Sequence, residues 1–411
     1  MGGLIQFVAY GAQDIYLTGN AQITLFKTAY RRHTNFAMES INCVFNGTAE
    51  LGTRFTAIIS KNGDLVKDMW LDCTFSTLDT SNVPVYGLGN AMIKVVELEI
   101  GGQLIDRQYG EWLNIWYELT LPEGKRMGYD NLVGNYNDLT TNNLPETQLS
   151  VPLAFWFNNN PGLALPLIAI QQHEVRVNIE LDTAANLSTS GTIVLDTSSI
   201  KLWVDYIFLD TDERRRMAQT NLEYLIEQVQ FLGDMTYTNS QPLNLELVFQ
   251  HPVKELYWVG QTNTNKRGQG ANSQPCKFVK LHDASTEFLI KLNGQQRFTP
   301  RLASYFMKTQ HFKHHTNSSR SNRILTQYVD DTADLAIKEN NSQYIYSYSF
   351  ALNPEEHQPS GTCNFSRLDS AQLTTNSSSI SAGADGIIKV FAKNYNILRV
   401  MNGMAGLAYG S

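Results

Sequence analysis

Basic clusters, paired cysteines and long apolar runs are what this 411-residue sequence lacks. Its 32 Lys and Arg against 39 Asp and Glu leave a formal net charge of -7, and no basic arm interrupts the balance. A protein that coats nucleic acid needs clustered cations to neutralise phosphates, so direct nucleic acid binding is not expected. Cys43, Cys73, Cys276 and Cys363 stand singly, with no CxxC pair to suggest zinc or a redox couple. They read as reduced, mostly buried thiols. No segment approaches the roughly 20 continuous apolar residues of a membrane helix. The opening MGGLIQ has neither a basic region nor an apolar core, so no signal peptide is expected, and Gln6 stands where myristoylation wants Ser or Thr. Charged residues make up only 17%, which argues against disorder and helical rods.

What is present is apolar and aromatic, 42% and 11% of the chain, enough for large cores. The length exceeds what one core usually fills and suggests two domains of roughly 190 residues. An internal repeat supports that division. Phe36, Glu39 and Ile41 match Tyr224, Glu227 and Val229, with Phe36 and Tyr224 188 residues apart. VKDMW at Val66 and VKELY at Val253 lie 187 apart, and the turn glycines Gly102 and Gly294 lie 192 apart. Pro161 and Pro166 recur as Pro354 and Pro359 at 193, and Tyr206 recurs as Tyr395 at 189. Five collinear matches at a nearly constant offset indicate a tandem duplication.

The duplicated unit reads as β. Short runs such as IKVVELEIGGQLID and HEVRVNIELD are rich in Val, Ile and Leu and partly alternate apolar with polar. Asn62-Gly63, Gly101-Gly102 and Asn293-Gly294 supply the positive φ angles of tight hairpins. Helical periodicity is scarce. TDERRRMAQTNLEYL is the clearest candidate, with Thr211 as its cap and Asp212 and Glu213 at the positive end of the dipole. GEWLNIWYELTLPEG is a weaker one. The expected fold is all-β: two tandem eight-stranded antiparallel jelly-roll sandwiches with a short helical connector. Expected boundaries are an N-terminal arm over residues 1–26, a first domain over 27–210, a connector over 211–221 and a second domain over 222–411. On one strand Met69, Leu71, Cys73 and Phe75 should face inward and Asp68, Trp70 and Asp72 outward. The repeat carries this facing to Leu256 and Trp258.

The stretch AYGAQDIYLTGNAQITLFKTAYRRHTNFAMES resembles the N-terminal signature of major capsid proteins of large icosahedral double-stranded DNA viruses, the phycodnavirus, iridovirus and mimivirus group. VELEIGGQLIDRQYGEW, NNPGLALPLIAIQQHEVRVNIEL, VDYIFLDTDERRRMAQ, NPEEHQPSGTCNFSR and AKNYNILRVMNGMAGLAYG extend the resemblance nearly to the last residue. It implies a double jelly roll, a homotrimer of near-hexagonal outline, and an icosahedral outer shell over an internal membrane with which contact is indirect. Neighbouring capsomers and minor capsid and penton proteins are the implied partners, with assembly in the host cytoplasm. Residues 260–283 and 299–342 are shorter than in the larger members, so no surface loop, glycan or receptor contact is carried over. Duplication then has a purpose: three two-domain chains present six similar wedges and can tile a hexagonal lattice.

Rival chemistry is weaker, and no catalytic, metal or cofactor-binding residue is assigned. His311, His314 and His315 of HFKHHTN could ligate a metal but lie in a polar stretch without an acidic partner at fixed spacing, as in a solvated loop. Asp68 with Asp72, and Glu97 with Glu99, have strand spacing that merely places them on an outer face. NTNKRGQG lacks the spacing of a phosphate loop and reads as a mobile, exposed loop around Lys266 and Arg267. Arg214, Arg215 and Arg216 suit charge pairing at the domain junction or solvation. Sequons occur at Asn46, Asn186, Asn317, Asn340, Asn364 and Asn376, with partial burial expected at Asn364. The alternative class is a two-domain β-sandwich that binds or cleaves carbohydrate.

Overall fold

The computed structural model describes residues 11–75, 83–135, 148–319, 343–375, 380 and 382–410. It comprises two compact units, Met1–Phe36 and Ala37–Ser411. In the first, a single helical turn over Ile15–Thr18 ends at Gly19 and buries nothing. Tyr16, Leu17, Leu25, Phe26 and Tyr30 are all exposed.

The strands of the first half are β1 (Phe36–Cys43), β2 (Phe45–Asn46), β3 (Arg54–Ile58), β4 (Leu65–Phe75), β5 (Val83–Pro84), β6 (Ile93–Ile100), β7 (Gln103–Gln108), β8 (Gln148–Pro152), β9 (Val175–Leu181), β10 (Ser188–Ser190) and β11 (Leu195–Leu209). Those of the second are β12 (Leu222–Tyr237), β13 (Asn244–Glu246), β14 (Pro252–Thr262), β15 (Glu287–Leu292), β16 (Gln295–Gln296), β17 (Arg301–Leu302), β18 (Ile345–Ser349), β19 (Cys363–Asn364), β20 (Ala371–Thr375), β21 (Gly386–Met401) and β22 (Met404–Leu407). In the first half a sheet of order β1-β11-β4-β8 shares one core with β3-β9-β6-β7, which β2 extends. In the second half β12-β21-β14-β18 shares a core with β13-β20-β15-β16. Position for position the two orders are the same, and each half is an eight-stranded jelly roll. The sequence repeat is therefore a structural one.

Local chemistry accounts for much of this. Gly101 and Gly102 (φ 58° and 83°) join β6 to β7, and Asn293 and Gly294 (φ 51° and 75°) join β15 to β16. Both are two-residue turns with positive φ at each centre, the geometry that matches strand twist. Asn62-Gly63 is not such a turn, because β3 and β4 belong to different sheets. Gly63 serves close approach instead: a Cβ there would lie 2.7 Å from Cβ of Tyr206. On β4, Met69, Leu71, Cys73 and Phe75 are buried and the alternate residues half-buried, as the period of two requires.

The helices depart from expectation in detail. The Thr211–Gln219 helix forms, but its cap is Asp210, whose carboxylate accepts the Thr211 N–H at 2.8 Å. GEWLNIWYELT forms a helix over Gly110–Thr120, and a second follows over Glu123–Val133 despite Gly124 and Gly128. Glycine inside a helix costs about 1 kcal/mol. Burial of Tyr129 and Val133 and a buried Arg126–Glu118 ion pair offset that cost. A further helical stretch, a π-turn over Tyr305–Thr309 continuing as Gln310–His314, was not legible in the sequence.

Candidate functional site, the charged seam between the two jelly rolls

Strand β14 breaks the alternation seen on β4. Leu256 and Trp258 point into the second core, yet Tyr257 and Val259, on the opposite face, are also fully buried and belong to the first core. The cover is the Gly110–Thr120 helix. Trp112 lies with its ring centroid 5.2 Å from Tyr257 and 5.6 Å from Phe391 on β21. Lys393 places its Nζ 3.2 Å above the Trp116 ring. The outer face of one jelly roll is thus the seat of a helix from the other, and the seat contains ionised groups that burial would otherwise penalise.

Three ion clusters satisfy them. In the first, Glu111 Oε1 receives Lys389 Nζ at 2.8 Å and Arg267 Nε at 3.0 Å, while Arg267 Nη1 reaches Asp182 at 2.5 Å and the Ala91 carbonyl at 3.0 Å. Burial pushes the Glu111 carboxyl up, but the two cations outweigh it and hold it at about 2. In the second, Glu227 lies between Lys254 and Lys393, bonded to Lys254 through Oε1 and to Lys393 through Oε2 at 2.7 Å. Burial, with Lys254 close by, lowers Lys393 to about 8 despite Glu227. In the third, His315 Nε2 meets Glu255 at 2.8 Å and Nδ1 meets Glu355 at 2.9 Å. Burial pulls this imidazole down, and the two carboxylates more than reverse it, to about 9. His311, buried beside His315 with ring centroids 5.5 Å apart, is held well below its ordinary range by burial and that neighbouring charge. Removing one member of such a buried pair leaves an uncompensated charge and costs about 3–5 kcal/mol.

Two sequence expectations fall here. HFKHHTN is not a solvated loop: the His311 and His315 side chains are buried, and His314 is half-buried with its Nδ1 2.9 Å from the Leu352 carbonyl. The acidic partners Glu255 and Glu355 come from distant segments that local spacing cannot reveal. NTNKRGQG is not free either. Arg267 is the centre of the first cluster, and the Gly270 N–H donates to Asn186 Oδ1 at 3.1 Å. The extra residues of the second copy form a strap across the first jelly roll, and Gly260–Thr262 still belongs to buried β14.

Other residues fall where spacing suggested. Asp68 and Asp72 lie on the outer face of β4, Glu97 is held by Arg54 and Arg107, and Glu99 accepts from Asn178 at 3.1 Å. Arg214 pairs with Asp64 at 2.9 Å at the junction, and Arg215 and Arg216 are exposed. All four cysteines are free, Cys363 being half-buried. Asn46 is exposed; Asn186 and Asn317 are engaged through their side-chain amides, with Asp182 and the Leu121 carbonyl. Asn364 is exposed rather than partly buried. Asn340 and Asn376 lie outside the described residues. Among the described residues, no group of three or more His, Cys, Asp or Glu is arranged to hold a metal ion, and no helix is long and apolar enough to cross a membrane.

A family profile described as major capsid protein N-terminus matches residues 24–210, and one described as large eukaryotic DNA virus major capsid protein matches 213–325 and 333–406. The chain belongs to the major capsid protein family of large eukaryotic DNA viruses. It is 46% identical to the major capsid protein of Pyramimonas orientalis virus and 38% to that of Paramecium bursaria Chlorella virus 1, each alignment covering both chains completely. Among solved structures, a PBCV-1 capsid chain superposes with a TM-score of 0.76 at 34% identity, over 94% of this chain and all of the other. The protein is a capsid subunit. The carbohydrate-binding alternative finds no support in these similarities.

Proposed function

We propose that the chain forms homotrimeric, pseudo-hexagonal capsomers of an icosahedral outer shell, assembled in the host cytoplasm, and that it does so without catalysis or direct nucleic acid contact. The observation that carries this reading is the double occurrence of one eight-strand order in one chain, which lets three copies present six similar wedges. Residues 27–210 and 222–411 act as the two wedges and 211–221 as the connector that limits their orientation. Neighbouring capsomers and minor capsid and penton proteins are the partners, and association with an internal membrane is indirect. The arm over residues 1–26, with its exposed Leu17, Leu25 and Phe26, suits contact with minor capsid proteins beneath the capsomer.

Light scattering on the purified chain tests the trimer: three times 46.3 kDa supports it, and a stable monomer overturns it. Removing residues 1–26 should leave a folded trimer that assembles poorly into shells. Loss of folding would refute the assignment of the arm.

A further inference from the structure

The internal repeat exposes an asymmetry. On the second jelly roll the outer face of β21 and β14 is covered by the helix that connects β7 to β8 in the first. Among the described residues, the same outer face of the first jelly roll, on β11 and β4, carries no helix from the second. There Trp70 pairs across the strands with Trp203, Asp68 with Asp205 and Asp72 with Lys201, and all except exposed Lys201 are half-buried. Conversely, the second jelly roll has its own helix between β16 and β18, the Tyr305–His314 stretch. It buries Phe306, Met307 and His311 against its own domain and turns Phe312 outward, 88% exposed, with Lys308 and Lys313 exposed as well. One chain therefore contains an occupied seat and an open seat, and a seated helix and an unseated one.

Resting on the trimer reading above, we propose that the Trp70 and Trp203 face of one subunit is the seat for the Tyr305–His314 helix of the next, so that the subunit contact repeats the seam within the chain. Charge supports this occupant. In the internal seam Glu111 of the helix meets Lys389 of the sheet, while Lys254 and Lys393 on that face are matched by the sheet's own Glu227. At the open seat the sheet carries Asp68, Asp72 and Asp205 against Lys67 and Lys201, a net acidic face, and the unseated helix brings Lys308 and Lys313. The unseated helix is thereby matched in charge to the open face. The contact is heterologous, head to tail, and closes where the rotation permits. Half-buried paired tryptophans at its centre and an exposed phenylalanine on the partner are the residue types that concentrate binding energy.

The test replaces Phe312 by the photo-cross-linker p-benzoylphenylalanine in the full chain and irradiates a mixture of isotopically light and heavy protein. Light-to-heavy cross-links to peptides containing Trp70 or Trp203 are expected. Separately, Phe312→Asp, and Lys308→Glu with Lys313→Glu, should weaken trimerisation by about tenfold or more while circular dichroism remains that of the wild type. If the wild type is trimeric but cross-links join Phe312 to another surface, or the variants trimerise normally, the seat is wrongly assigned and the trimer stands. If the wild type is itself monomeric, both readings fail.

Discussion

Substituting Arg267 with Ala would separate a strap from a passive loop. Its side chain is only 13% exposed, serves Glu111, Asp182 and the Ala91 carbonyl, and sits in the segment where the second copy is longer than the first. Without it, among the described residues the Asp182 carboxylate is left with the Thr183 N–H and the Asn186 amide, and Glu111 with Lys389. Breaking a buried pair from one side costs about 3–5 kcal/mol. At roughly 2–4 °C per kcal/mol for units of this size, the melting temperature should fall by about 6–20 °C. Arg267→Lys should fall between, because an ammonium cannot span carboxylates and a carbonyl in the planar geometry of a guanidinium. Calorimetry at fixed protein concentration is the assay, since association itself stabilises. Trypsin gives a second readout. In the wild type Arg267 should resist cleavage, whereas nicking at Lys266 should accelerate in Arg267→Ala as the strap opens more often. A melting temperature within about 1 °C of wild type, with unchanged nicking, would show that the strap is not held by these pairs.

Truncating Leu71 or Trp258 to Ala should cost about 2–5 kcal/mol each, because both are fully buried at the centres of their cores; near-normal trimer yield and melting temperature would refute that facing. The His315 imidazole titrates at about 9 in the fold against an ordinary value of 6.5, so its ion pairs stabilise fully below pH 6.5 and fade as pH rises through 9. The melting temperature of the wild type should therefore exceed that of His315→Gln most at pH 6 and converge on it by about pH 10; a constant gap would mean that the histidine acts only by packing. Glu111 runs the other way, held at about 2 against 4.5, so its contribution is present above pH 4.5 and is lost as pH falls through 2. Glu111→Gln should accordingly show a stability deficit at pH 7 that shrinks on acidification, measured by urea unfolding.

What could be read from the residues was what local chemistry controls. The alternation of Met69, Leu71, Cys73 and Phe75, the paired positive φ angles at Gly101-Gly102 and Asn293-Gly294, and the collinear spacing of the repeat each depend on neighbours in the chain, and together they carried the double jelly roll. The seam did not yield to the same reasoning. Lys254 in VKELY looks like Lys67 in VKDMW, yet one is fully buried against Glu227 and the other half-buried beside Asp68. Arg267 in a glycine-rich stretch has the composition of a free loop, and its partners Glu111 and Asp182 lie 156 and 85 residues away. His315 likewise meets Glu255 and Glu355 at separations of 60 and 40 residues. Sequence determined which faces of each sandwich are apolar. Only the packing of one sandwich's helix on the other's sheet decided which charges would be taken out of water, because burial and ion pairing between distant segments exist only once the two halves are in contact.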